Sequence, residues 1–298
     1  MDPDVTEDSE RIASALGDTP SRMRWASGHG APSNRRYIVS LPSGGTAFAK
    51  VAAFDYTADW LRTEHAIYEA LEGQPHLPHL LGWHDDGECP VLLIEDLSEA
   101  LWPPPWDDDT IGAVLASLDE LHATPLPSGI EPVESVLDDT REGWNEVRAD
   151  PEPIIRSGLC SERWLLENVD VLERAADAAI IEGDALVHID VRSDNLCLRD
   201  GRAILVDWNW ASRGDPQFDL AAWLPSLAAE GGPKPWTILP DAENYASLLA
   251  GFFVAHCVRP PIPQAPHVRE LQRSNGTAAL AWSAHSFGLA PPTDTASQ

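Results

Sequence analysis

The chain, 298 residues long, predicts an α+β fold in two lobes: a strand-rich front and a larger helical back. Three observations carry that expectation. Short apolar runs separated by turn residues fill 23–94, Pro103-Pro104-Pro105 closes that region with a stiff linker, and helical spacing of apolar residues begins at Asp109. With 43% hydrophobic residues, a chain of this length can bury a full core in two lobes.

Residues 1–18 are polar and are expected to be a flexible N-terminal segment. A small lobe over 19–97 follows, with strands near Met23–Ala26 and Arg36–Leu41, then Thr46–Val51. Alternation along the last of these puts Lys50, one of only two lysines, on the same face as Phe48. A helix is expected from Asp59 to Glu72, with Trp60, Leu61, Ile67, Tyr68 and Leu71 within one arc. Glu64 falls inside that apolar arc, whereas Glu69 projects to the opposite side with Arg62 and His65. A buried ammonium and a buried carboxylate both need partners, so Lys50 and Glu64 are expected to pair. The plainer alternative is a Glu64 that reaches solvent at the helix edge.

Pro90–Ile94 reads as another strand, running into Glu95-Asp96-Leu97 and then the linker Leu97–Asp107. The large lobe, 98–298, starts with a helix whose apolar face is Ile111, Val114, Leu115, Leu118 and Leu121. Further helices are expected over Ser161–Ile181, about Ala242–Val258 and about Val268–Phe287, the last two separated by Pro260-Pro261-Ile262-Pro263. Trp164, Trp223, Phe252, Phe253 and Trp282 recur at helical spacing and read as core. Trp236, in a Pro-rich loop, is a candidate for lining a pocket.

The chemistry is concentrated in His188-Ile-Asp-Val-Arg-Ser-Asp-Asn195 and in Val206-Asp207-Trp208-Asn209. Between them, two apolar runs flank Asp200-Gly201, the signature of a two-residue hairpin loop in which facing positions sum to 401. Asn195 then lies opposite Val206 and beside Asp207, with Asp190 one loop away. A carboxylate that orients a hydroxyl, together with hard oxygen ligands too few to cage an ion alone, suits phosphoryl transfer. Such ligands suit Mg²⁺ that also binds substrate phosphates.

These residues resemble the aminoglycoside phosphotransferase and choline kinase family, which has a protein-kinase-like two-lobe fold. The family loop H-x-D-x-x-x-x-N matches at His188, Asp190 and Asn195. The metal-binding Asp matches Asp207, and G-D-P-x-x-D-L-A matches Gly214 to Ala221. The resemblance runs from about Ser27 to about Gly288. It implies Asp190 as catalytic base, Asn195 and Asp207 as Mg²⁺ ligands, and His188 and Asp219 as supports of loop geometry. Lys50, held by Glu64, would bind phosphates of ATP, with GTP the other candidate. Backbone at Glu95, Asp96 and Leu97 would meet the base, and the turn at Ser27-Gly28-His29-Gly30 and Ser33-Asn34 is a candidate phosphate cover, although it lacks G-x-G-x-x-G.

Two positions depart from the family or add to it. Ile189 stands where the family usually has Gly. Arg192 lies where protein kinases carry a Lys touching the transferring phosphate, so a γ-phosphate contact is expected; the plainer alternative is an exposed Arg paired with Asp194.

A net charge of −28 disfavours nucleic acid and raises the prospect of a cationic small-molecule acceptor with a hydroxyl group. Acids recur at Asp107, Asp108, Asp109, Glu131, Glu134, Asp138, Asp139, Glu142 and Glu146, where family members build part of the acceptor site; simple solubility is the competing explanation. No spanning apolar run or signal peptide is evident, so a soluble cytoplasmic protein is expected; monomer and homodimer are both open. The four cysteines lack metal or disulfide spacing, and the dispersed histidines argue against zinc. The rivals are a catalytically silent nucleotide-binding protein of the same fold, and a protein kinase. The latter is disfavoured because no A-P-E segment is present and seven residues separate Asp207 from Asp215.

Overall fold

A computed structural model of the chain describes residues 3–26, 34–137 and 139–293. The expected turn at 27–33 and Asp138 therefore lie outside the described residues. In chain order the elements are α1 (Pro3–Leu16), β1 (Arg22–Trp25), β2 (Arg35–Ser40), β3 (Thr46–Val51), α2 (Asp55–Ala70), β4 (Leu80–His84) and β5 (Val91–Glu95). The larger part holds α3 (Asp108–His122), α4 (Val133–Val136), α5 (Gly143–Ala149), α6 (Glu152–Ser157), α7 (Glu162–Asp177), β6 (Ala185–Val187), β7 (Leu196–Arg199), β8 (Arg202–Leu205) and β9 (Ser212–Gly214). Helices α8 (Pro216–Ala229), α9 (Pro235–Ile238), α10 (Glu243–Cys257) and α11 (Val268–Ser286) complete it.

The small lobe is an antiparallel sheet in the order β1-β2-β3-β5-β4, and the whole is a protein-kinase-like α+β fold. Strand β3 is central, so both its faces are covered. Ala47, Ala49 and Val51 face one side with Tyr37, Val39, Val91 and Leu93, while Phe48, Leu92 and Ile94 join the cluster containing Leu61, Ile67 and Tyr68 of α2. The period of two along a strand sorts these residues, and it carries Lys50 to the α2 side.

The N-terminal segment is the clear correction. Instead of a flexible leader, α1 packs on the sheet face opposite α2, with Ile12 fully buried and Ala15 nearly so. Asp8 supplies the reason. Its buried carboxylate accepts from Arg35 Nε at 2.7 Å, Arg35 Nη2 at 2.9 Å and Tyr37 Oη at 2.6 Å. Val5, Ile12, Ala15 and Leu16 share one helical face, but Asp8 interrupts it and its partners lie across the fold. The close approach of α1 also needs a residue without a side chain on β4: a Cβ at Gly82 would lie 2.3 Å from the Ala15 carbonyl oxygen.

Helix α2 starts four residues before the expected Asp59, because Thr57 Oγ1 accepts from both Ala53 N and Phe54 N at 2.9 Å and caps the turn. Glu64 is buried and Glu69 exposed, as the arc requires. The segment between β5 and α3 runs over 96–107. Asp107 caps α3 by accepting from Thr110 N at 2.8 Å, while Leu101 exchanges backbone hydrogen bonds with Leu198 of β7 at 3.0 and 2.7 Å.

In the large lobe α10 packs against α11, α7 and α5, with Trp144 and Trp282 fully buried. The expected helices are α7, α10 and α11. Trp236 stacks on His285 with centroids 4.1 Å apart. Two ties fix the hairpin β7–β8 in place: Ser117 Oγ of α3 donates to Ala203 O at 3.0 Å, and Leu205 N donates to His76 O of the small lobe at 2.8 Å. Among the described residues no helix is long and apolar enough to cross a membrane.

Gly82→Ala is expected to lower stability by about 1–3 kcal/mol through overpacking against α1, read as a lower denaturant midpoint with unchanged slope. An unchanged midpoint would mean that α1 is not held against β4.

Candidate active site

The β7–β8 hairpin turns at Asp200 and Gly201, both with positive φ (54° and 74°), as a type I′ loop demands. Its register is Leu196↔Leu205 through Arg199↔Arg202, so the facing positions sum as the spacing predicts. One step beyond the strand ends, Val206 N donates to Asn195 O at 2.9 Å. Asn195 and Asp207 are thereby neighbours at the open end of the hairpin, where β-sheet pairing stops.

Lys50 Nζ enters this place from β3. It donates to both Glu64 oxygens at 2.8 Å and to Asp207 Oδ1 at 2.7 Å. The Lys50 and Glu64 side chains are almost wholly buried and Asp207 is 30% exposed. Burial pulls the Lys50 ammonium down, but the charges of Asp207 and Glu64 outweigh it and raise its pKa overall. Burial pushes Asp207 up, yet Lys50 overrides this and holds the carboxyl down at about 2. The Glu64 that the helical arc left with two outcomes takes the paired one.

Asp190 and Asn195 meet at the loop that precedes β7. Asn195 Nδ2 donates to the Asp190 carbonyl at 2.9 Å and to Asp190 Oδ2 at 2.8 Å. With its amide nitrogen spent, Asn195 keeps its oxygen for another partner. Burial pushes the Asp190 carboxyl up to about 6, with Arg192 opposing and the Asp194 and Asp207 charges reinforcing the shift. Arg192 forks onto Asp194, with Nε–Oδ1 and Nη2–Oδ2 both at 3.0 Å, and its Nη1 lies 3.4 Å from Asp190 Oδ1. It is therefore paired with Asp194 as the plainer reading expected, but half-buried and not exposed, and it also reaches the acid at the centre of the loop.

The loop is braced from beneath. His188 is fully buried, and burial pushes its imidazole toward the neutral form. Its Nε2 lies 3.0 Å from Val206 O and its Nδ1 accepts from Asp190 N at 3.3 Å, a pattern satisfied by one neutral tautomer. Ile189, the residue in place of Gly, sits at φ 69°, a left-handed conformation costly for a β-branched side chain. Asp219, in the first turn of α8, opposes that cost: its oxygens accept from Ile189 N at 2.6 Å and His188 N at 3.0 Å. His122 Nε2 reaches the same carboxylate at 2.9 Å. Sequence reasoning left His122 among the dispersed histidines, because its partner is 97 positions away.

Glu95, Asp96 and Leu97 lie at the end of β5, beside the hairpin rather than within the acid cluster. Glu95 pairs with Arg199, Asp96 accepts from Ser98 N at 3.0 Å, and Leu97 packs with Cys197 and Ile204. The Leu97 carbonyl accepts from Ala100 N and Trp102 Nε1, both at 3.0 Å. These side chains shape the turn between lobes. The donor set of Asn195 and Asp207, one amide oxygen and one carboxylate, fits a hard divalent cation that completes its shell with phosphates and water.

A two-lobed kinase-like fold with this set of side chains is the fold of phosphotransferases that act on alcohol groups. The chain belongs to the phosphotransferase enzyme family, which it matches over residues 28–261. A sequence comparison with curated proteins finds no match. Among solved structures it is similar to an aminoglycoside-3′-phosphotransferase of type VIII, with 22% identity, TM-score 0.51, and 91% of this chain and 98% of that one covered. A choline/ethanolamine kinase family protein from Mesorhizobium loti is 14% identical, with TM-score 0.52 and coverages of 92% and 99%. Amicoumacin kinase hAmiN, solved in complex with AMP-PNP, Ca²⁺ and Ami, is 10% identical, with TM-score 0.54 and coverages of 94% and 93%.

Asp219→Ala is expected to cost about 2–4 kcal/mol, because it leaves two buried amide donors of the loop without an acceptor. Urea unfolding measures this. A loss below about 1 kcal/mol would mean that the loop holds its left-handed turn without Asp219.

Proposed function

We propose that the protein transfers the γ-phosphoryl group of ATP to a hydroxyl of a small molecule, either an aminoglycoside-like antibiotic or a metabolite. The observation that carries this reading is the position of Lys50 Nζ, 2.8 Å from Glu64 and 2.7 Å from Asp207, at the hairpin end that also holds Asn195, itself bonded to Asp190. A buried ammonium clamped by two carboxylates from different lobes is poorly explained by stability alone, since an apolar replacement would often serve as well. It is well explained as a phosphate contact. GTP remains the other candidate nucleotide, and the excess of 48 acidic over 20 basic residues favours a cationic acceptor.

In this reading Lys50, braced by Glu64, binds nucleotide phosphates, and Glu95 to Leu97 present backbone to the base. Asn195 and Asp207 hold Mg²⁺, which when bound neutralises charge on the phosphate oxygens. Asp190 accepts a hydrogen bond from the acceptor hydroxyl, orients it for in-line attack, and takes its proton as the new oxygen–phosphorus bond forms and the bond from the γ-phosphorus to the β–γ bridging oxygen breaks, releasing ADP. Its elevated pKa makes it a better proton acceptor than an ordinary carboxylate. Arg192, already 3.4 Å from Asp190, is placed to steady the transferring group. His188 and Asp219 hold the loop.

The decisive experiment is a mass-spectrometric screen of hydroxyl compounds, aminoglycosides and amino alcohols included, for a phosphate adduct formed with ATP and Mg²⁺. Asp190→Asn is expected to lower turnover by at least about a hundredfold while nucleotide binding survives. Normal turnover in that variant would remove Asp190 as base, and nucleotide binding without any phosphorylated acceptor would favour a silent protein. Arg192→Ala is expected to lower kcat by roughly tenfold or more with little change in the KM for nucleotide, separable by steady-state kinetics. Equal kinetics would remove Arg192 from the site.

A further inference from the structure

Helix α8 touches the catalytic loop from both of its ends. Near its start Asp219 holds the His188 and Ile189 amides. At its C-terminal cap Glu230 reaches the far half of the same loop: Oε1 accepts from Ser193 Oγ at 2.6 Å, and Oε2 accepts from Trp106 Nε1 at 2.9 Å. Ser193 stands between Arg192 and Asp194, and Trp106 is the residue before the α3 cap Asp107. The two acids are roughly 16 Å apart along the helix at about 1.5 Å per residue.

The helix ends where Glu230 needs it to end. Gly231 turns with φ +91°, and Gly232 N donates back to Leu227 O at 2.9 Å, closing the helix as a glycine-terminated cap does. A Cβ at Gly232 would lie 2.5 Å from Leu227 Cδ1 and 2.8 Å from Leu227 O. The tight stop leaves the Glu230 side chain directed at the loop. Trp106 is itself seated against the buried Trp223 of α8, ring centroids 5.6 Å apart in an edge-on arrangement. The three groups therefore form one bridge from linker to helix cap to loop.

We propose that Glu230 is a positioning residue for phosphoryl transfer. As a strut between Ser193 and Trp106, it holds residues 192–194 at a set distance from the interlobe linker, so that Arg192 keeps its geometry toward Asp190. Both of its oxygens are engaged by neutral donors, a hydroxyl and an indole N–H, so its contribution is orientation and not charge compensation. The proposal rests on the phosphotransferase reading above and names a residue outside the motif that suggested it.

The test combines kinetics with hydrogen exchange on the full chain. Glu230→Ala is expected to lower kcat roughly 10- to 100-fold, as small misplacements of reacting groups do. The nucleotide KM should stay within about twofold. Ser193→Ala should lower kcat in the same direction, and the double variant should be no worse than the poorer single one, because both cut the same bridge. Glu230→Gln, whose amide oxygen can accept from Trp106 Nε1 while its amide nitrogen donates to the Ser193 hydroxyl, should recover most of the turnover. In Glu230→Ala the amides of 192–195 should exchange about tenfold faster at unchanged unfolding midpoint. Unchanged exchange and turnover in Glu230→Ala would overturn the proposal. So would additive losses in the double variant, or a fall in stability and both kinetic constants together that Glu230→Gln does not repair. If the unsubstituted protein phosphorylates no acceptor, the function reading fails separately; exchange at 192–195 still decides whether the strut exists.

Discussion

A buried ammonium cannot be left alone, and the packing around Lys50 follows from that constraint. Its side chain is 5% exposed, and removing it would leave Glu64 as an unpaired carboxylate in a poorly solvated place, at a cost of about 3–5 kcal/mol. Glu64 meets it from α2 and Asp207 from the end of the hairpin, which ties the sheet, the helix and the large lobe to one nitrogen. Sheet and helix are held in register by the apolar contacts of Phe48, Leu92 and Ile94 with the α2 side. The ion triad then specifies which faces those contacts may use.

The second constraint is backbone conformation in the loop that carries Asp190. Ile189 and Asp207 both adopt left-handed φ, of 69° and 70°, which glycine tolerates and these residues do not favour. The strain persists because surrounding bonds over-determine it. Asp219 grips two successive amides, His188 links the loop to Val206 O, and Asn195 closes the ring on Asp190. A glycine at 189 would meet the conformational demand locally; here the same geometry is maintained by a buried carboxylate that His122 also contacts.

Much of the site was legible in the sequence, and for identifiable reasons. A two-residue loop at Asp200-Gly201 sets the hairpin register, and that register puts Asn195 beside Asp207 whatever the rest of the chain does. Strand alternation and the helical arc similarly oriented Lys50 and Glu64 toward each other. What escaped were contacts whose partners are far apart in the chain and whose residues carry no pattern. Asp8 with Arg35, His122 with Asp219, and Glu230 with Ser193 and Trp106 are of this kind. The helix α1 escaped for a related reason, since the apolar face it buries, Ile12, Ala15 and Leu16, is interrupted by the Asp8 carboxylate, whose partners are distant in the chain.

The sequence by itself determined the local chemistry: which residue types stand next to one another, which faces they share, and that hard oxygen atoms gather at one hairpin mouth. Those properties depend on short-range geometry, with periods of 2 and 3.6 residues and a turn type that admits few alternatives. Only the tertiary structure decided that Glu64 pairs and does not reach solvent, that Lys50 also takes Asp207 as a partner, and that α8 braces the loop from both ends. Those outcomes depend on how separately folded elements dock, where burial of apolar surface sets the distances and a buried charge or amide accepts whichever partner the docking supplies.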